Sequence, residues 1–178
     1  MKRVWFAKSR PTNNSEDLKD FIKDIPKNSV LLEVGTGCGV STMMFAKRCK
    51  KVVSIDGYDK LKPYGVMTKE RFIESEKRFR KYINRFKKLK KKVNQIKEIS
   101  SKAVERFSDG EFDIVYLDGD HFPESFRSDL HNWLPKIKEG GILSGHDYQI
   151  THVPSVLKEI MGRQPDKLYK DGSWMYQL

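Results

Sequence analysis

Short runs of β-branched and aliphatic residues alternate along this chain with longer segments in which apolar side chains recur every third or fourth position. Residues 15–25 open with Ser15, a capping residue, and with Glu16 and Asp17, which suit the positive end of a helix dipole. Leu18, Phe21, Ile22 and Ile25 then share one face, and Pro26 ends the pattern. The spacing predicts strands at 30–34, 52–56, 93–99, 112–117 and 140–145. It predicts helices at 41–48, 68–89, 102–107, 125–133 and 153–161. Residues 167–170 and 174–178 flank Asp171-Gly172, a favoured hairpin turn, and read as a closing antiparallel pair. Five strands alternating with helices predict an α/β doubly wound sheet with right-handed crossovers. At 178 residues the chain is expected to form a single domain, with a lead-in and helix over 1–28 and a core over 30–178.

The first strand runs into the most informative stretch. Glu33-Val34-Gly35-Thr36-Gly37-Cys38-Gly39 places an acid and three alternating glycines before the helix that starts at Ser41. Such glycines permit positive φ and let a ligand lie against bare backbone at a helix N-terminus. The spacing excludes two familiar phosphate-binding patterns. The dinucleotide fingerprint needs its third glycine where Val40 stands, and a phosphate loop needs Gly-Lys-Ser/Thr where the chain has Gly39-Val40-Ser41. A carboxylate at Glu33 repels pyrophosphate and suits a cationic ligand. The second strand ends in Asp56, about twenty residues beyond Gly35, where such folds hold a ribose diol. A plain strand-end cap is the competing reading for Asp56.

The fourth and fifth strands end in Asp118-Gly119-Asp120-His121 and in His146-Asp147-Tyr148. Neighbouring strands would bring Asp118, His146 and Asp147 together, a donor set suited to Mg²⁺ or a similar divalent ion. Acids after strands and hydrogen-bonded histidines also occur without any metal.

Charge changes the picture in one region. Lys and Arg outnumber Asp and Glu by 35 to 24, for a formal net charge of +11. Much of that excess falls in residues 69–92. A solvated outer helix is one reading of it, and a face for an anionic substrate, RNA or lipid is the other. No apolar run is long enough to span a bilayer, and the N-terminus lacks a signal-peptide core. Cys38 and Cys49 match neither a disulfide framework nor a zinc site, so a cytoplasmic setting is expected.

Together, the E-x-G-x-G-x-G stretch, Asp56, Asp-Gly-Asp-His and Gly-Gly…His-Asp-Tyr resemble the class I S-adenosylmethionine-dependent methyltransferases over about residues 30–178. The resemblance is nearest to a metal-dependent O-methyltransferase branch. It implies a Rossmann-like three-layer sandwich with a seven-stranded, mostly parallel sheet in the order 3-2-1-4-5-7-6 and an antiparallel terminal hairpin. Carried over residue by residue, it implies cofactor contacts at Glu33, Gly35, Gly37, Ser41, Asp56, Ser100, Ser101 and Asp118. It implies a divalent ion, Mg²⁺ or similar, on Asp118, His146 and Asp147. Histidine at 146 departs from the acid–amide pair of the catechol type. Its general-base lysine corresponds in position to His121, an imidazole suited to accept a proton near neutral pH. The expected reaction is O-methylation of a small-molecule or sugar hydroxyl. The 57–66 loop and the first 14 residues would shape the acceptor pocket, either left open or covered by a second copy in a homo-oligomer. Two rival expectations stand: an RNA methyltransferase that uses the basic helix, and a non-catalytic subunit that binds cofactor or a partner.

Overall fold

The computed structural model describes residues 14–63, 67–120, 122–150 and 152–178. Seven strands form one sheet in the order β3-β2-β1-β4-β5-β7-β6. They are β1 (Val30–Val34), β2 (Lys51–Ile55), β3 (Val93–Ile96), β4 (Phe112–Leu117), β5 (Ile137–Gly145), β6 (Lys167–Leu168) and β7 (Trp174–Gln177). The first five pair in parallel, and β7 runs antiparallel to both β5 and β6. This is the Rossmann-like α/β sheet that the strand–helix alternation and the family resemblance imply.

Seven helices connect and cover the strands among the described residues: α1 (Asn14–Asp24), α2 (Val40–Arg48), α3 (Lys69–Asn84), α4 (Lys87–Lys90), α5 (Ser100–Ala103), α6 (Pro123–Trp133) and α7 (His152–Met161). Strand periodicity sends alternate residues to opposite faces. Leu32, Val53, Val115 and Leu143 pack on one side with Phe126, Leu130 and Trp133 of α6 and Val156 and Leu157 of α7. Leu31, Val52, Ile114 and Ile142 pack on the other with Leu18 and Phe21 of α1 and Phe45 of α2. Two apolar layers therefore sandwich the sheet, and the central strands read as continuous apolar runs because neither face meets water.

Several predicted elements change bounds on folding, and the fifth strand, expected over 140–145, starts at Ile137. The helix expected over 68–89 ends at Asn84, and α4 follows a turn at Arg85 and Phe86. The break lets Leu89 fold back against the core beside Val93, so the chain can enter β3. Phe86, at the turn, is 37% exposed as a result. The third strand stops at Ile96, not 99, where its partner β2 ends at Ile55. The helix expected over 102–107 begins earlier, as α5, and tightens into a 3₁₀ turn over Val104–Arg106. Cys49 is fully buried at the end of α2, and burial pushes its thiol up to about 12, so it is a packing residue.

Candidate active site

The carboxyl ends of the parallel strands are joined by backbone bonds before any side chain is considered. Gly35 N–H donates to the Ile55 carbonyl at 2.9 Å, Asp118 N–H to Val34 at 2.8 Å, and His146 N–H to Leu117 at 3.0 Å. Each strand thereby delivers its last residue to one rim. Gly35 sits at φ +85°, and a Cβ there would collide with the Asp118 carbonyl. A Cβ on Gly37 would meet nothing, so this turn leaves bare backbone open. Both glycines are required by geometry: one by close approach, the other by a φ of +52°.

Asp56 ties the glycine turn to β2. Its Oδ2 accepts from the N–H groups of Thr36 (3.1 Å) and Gly37 (2.9 Å), and its Oδ1 from Tyr58 N–H (2.9 Å). A carboxylate has about four lone-pair sites, so room for one more donor remains on Oδ1. Burial raises its pKa, and the three amide bonds oppose that rise. Tyr58 is fully buried at φ +47°, an unusual backbone for a bulky residue. Its hydroxyl donates to the Gly37 carbonyl at 3.1 Å, and burial holds the phenol protonated by raising its pKa. Tyr58 therefore clamps the turn from below.

A cleft of about 640 Å³ opens over this rim, and Gly35, Gly37, Asp56, Ser100, Ser101 and Asp118 all line it. Glu33 and Ser41 do not line it among the described residues. Glu33 is fully buried, and its carboxylate accepts from the Ser41 and Thr42 hydroxyls at the start of α2. A negative charge there favours the helix N-terminus, so the pair orients the helix behind the turn.

Ser100 is also committed within the protein. Its hydroxyl donates to Asp129 Oδ1 and accepts from the Trp133 indole N–H at 2.7 Å. Asp129 is buried, lines the cleft and was not singled out from the sequence. Its helical position on α6 gave no motif; only the fold brings it beside Ser100. Asp120 caps the approach to α6, accepting from Phe122 N–H and from the Ser125 hydroxyl, each at 3.1 Å. His121 lies outside the described residues.

Asp118, His146 and Asp147 do converge. One ligand atom from each lies within 4.8 Å of the others. His146 Nδ1 is 2.9 Å from Asp147 Oδ1 and 3.8 Å from Asp118 Oδ1. Bonds of about 2.1 Å to a Mg²⁺-sized ion would space adjacent ligands about 3 Å apart, so two carboxylates and an imidazole at these separations fit such an ion. Asp147 adopts φ +60°, and Gln149 donates to its Oδ1 at 3.2 Å. The hairpin turn braces this loop: Tyr148 N–H donates to the Gly172 carbonyl and Trp174 Nε1–H to the His146 carbonyl, each at 3.0 Å. Asp171, almost fully buried, stands 3.9 Å from His146 Nε2. The Asp-Gly pair was legible as a turn, but not as a brace.

Comparison with known proteins is consistent across most of the chain. A family model described as a methyltransferase domain matches residues 32–148. A Streptococcus mutans protein described as a methyltransferase, solved in complex with SAH, superposes with a TM-score of 0.61 at 15% identity, covering 98% of this chain and 96% of that one. An rRNA methylase from Streptococcus thermophilus gives 0.61 at 14% identity, covering 88% and 89%. A SAM-dependent O-methyltransferase from Thermotoga maritima gives 0.61 at 16% identity, covering 94% of this chain and 54% of that one. A curated relative from Sinorhizobium fredii (strain NBRC 101917 / NGR234), the uncharacterized protein y4gI, is 28% identical over 50 residues, and that match spans 6% of its length. At these identities the structural neighbours establish the fold. No helix among the described residues is long and apolar enough to cross a membrane.

Proposed function

The chain belongs to the methyltransferase-domain family and has the S-adenosylmethionine-dependent methyltransferase fold, and from that premise we propose that it methylates a hydroxyl oxygen of a small molecule or sugar. The observation that carries the reading is the meeting of Asp118, His146 and Asp147 at the rim of the cleft that Gly35, Gly37 and Asp56 build.

The cleft suits the cofactor. Gly37 offers open backbone, Asp56 keeps an acceptor site for a ribose hydroxyl, and Ser101 lines the cleft, where it would face the adenine. Asp118 would face the methionine end, where an ammonium and a sulfonium favour a carboxylate. S-adenosylmethionine supplies an activated methyl on its sulfonium. The protein's own task is then to orient the acceptor and to favour its deprotonated oxygen. Asp118, His146 and Asp147 would hold a divalent ion, whose positive charge would lower the pKa of a nearby hydroxyl. His121, three residues after Asp118, is the proposed proton acceptor. Glu33 with Ser41, and Asp129 with Ser100, act as positioning residues behind the turn and the cleft wall.

Calorimetric titration with S-adenosylmethionine and SAH, in Mg²⁺ and then in EDTA, tests the reading. Micromolar binding with a metal-dependent heat is expected, followed by methyl transfer to members of a hydroxyl-acceptor panel. Absence of binding in both buffers overturns it. Binding with no effect of metal removes the ion from the proposal and leaves the cofactor site.

A further inference from the structure

The structure divides the molecule's charge between two ends of the sheet. Helix α3 begins beside the cleft, where Phe72 and Ser75 line the wall. Its 16 residues carry the chain about 24 Å away, toward the amino ends of the strands. There Lys92 donates to the carbonyls of Ala46 and Cys49 at the end of α2, and its own carbonyl accepts from Val52 N–H at the start of β2. The second half of α3, α4, the end of α2 and the start of β2 thus form one basic pole.

Residues 77–92 contain ten Lys or Arg and no acid. Lys81, Arg85, Lys87, Lys88, Lys90 and Lys91 are all exposed, as are Lys47, Lys50 and Lys51 beside them. Among the described residues no ion pair is recorded for any of these nine, whereas two arginines nearer the middle of α3 are paired: Arg78 with Glu74 and Arg80 with Glu76. So many uncompensated like charges repel one another and raise a strong positive potential. One exposed aromatic lies among them: Phe86, set edge-on to Tyr82 at 5.4 Å. The apolar face of α3 offers nothing to a bilayer, because Phe72, Phe79 and Ile83 are buried in the protein.

We infer that this pole is a docking surface for single-stranded nucleic acid, separate from the methyl-transfer cleft. Lysines spread along an acid-free stretch match the backbone phosphates, and Phe86 supplies a ring on which a base can stack. Because the pole and the cleft lie at opposite ends of α3, the bound strand is held rather than presented for methylation. This inference does not depend on the hydroxyl acceptor or the divalent ion.

The test is fluorescence anisotropy of the full chain with labelled single-stranded RNA and DNA across a salt series. Tight binding of either strand at low salt is expected, with affinity falling steeply as salt rises. The combined variant Lys87→Gln/Lys88→Gln/Lys90→Gln/Lys91→Gln should weaken binding at least about tenfold and flatten the log–log salt slope by about 3, at roughly 0.7 per lost phosphate contact. Phe86→Ala should weaken binding with the slope unchanged. Circular dichroism melting confirms that each variant is folded. A control, Lys102→Gln/Lys158→Gln/Lys170→Gln, removes exposed charge elsewhere and should leave affinity within twofold. Ultraviolet crosslinks should map to Tyr82 and Phe86. Equal loss in the control, binding only to anionic phosphatidylserine vesicles, no binding to either strand, or crosslinks concentrated at Phe122 in the cleft would each overturn the inference.

Discussion

At the carboxyl ends of the strands, three carboxylates of the site are buried or half-buried and individually held. Asp56 has three backbone donors, Glu33 two hydroxyls, and Asp129 a serine. At the basic pole the charges are many and exposed, and nine of them have no recorded ion pair among the described residues. The contrast teaches how each end can work. A held carboxylate acts through its position, so one substitution should cost a great deal. A field of solvated lysines acts through its sum, so one substitution should cost little.

The sharpest way to break that contrast is Asp118→Ala. Methyl transfer should fall at least about a hundredfold, an effect of about 2.7 kcal/mol on the barrier. A near-normal rate in a steady-state assay would remove Asp118 from the chemistry. Gly35→Ala comes next. It sets a methyl against the Asp118 carbonyl at a φ that L residues avoid, so stability should drop by at least about 1–3 kcal/mol in a denaturant titration, with loss of SAH binding.

Asp56→Asn should weaken SAH about 10- to 100-fold by calorimetry, the scale of a lost hydrogen bond to a charged group. Burial raises the pKa of Asp56, so wild-type affinity should decline as pH falls through a value above the ordinary aspartate range. Stability should respond in the opposite sense, because the buried charge is costly above that pKa and the cost is relieved below it. The Asn variant should lose this dependence; a profile identical to wild type would count against the ribose role.

Glu76 sits on α3 between the two ends and is buried. Its hydrogen bond from Lys97 holds its pKa below the usual glutamate range, with Arg80 adding to the effect. That contribution is fully present above the unfolded value of about 4.3 and is lost as pH falls through the lowered folded value. Glu76→Gln should therefore cost about 1–2 kcal/mol at neutral pH and progressively less in acid, read from urea midpoints. The smallest effect belongs to the basic pole. Lys88→Gln alone should shift stability by no more than about 0.5 kcal/mol. Any gain from relieved repulsion should vanish in high salt. A loss of several kcal/mol would mean that the lysine is held as the carboxylates are.

Much of this architecture was legible from residue pattern alone. Apolar runs at 30–34 and 112–117 and the Pro26 stop predict strand and helix bounds because local backbone preference and burial agree there. The glycine spacing and the acid at Asp56 point to a ligand turn for the same reason: only particular residues tolerate those conformations. The charge excess over 69–92 was legible as composition. What the sequence by itself could not decide were the relations between distant residues. It did not tell that Glu33 would turn inward to Ser41 and Thr42, that Ser100 would bind Asp129, or that Asp171 would stand against His146. It did not tell that α3 would break at Phe86 or carry its lysines away from the cleft. Those outcomes depend on which strands become neighbours and on how far a helix runs before the chain must re-enter the sheet. Tertiary packing alone makes that choice, because contacts between residues far apart in sequence compete for the same space and the same hydrogen-bond partners.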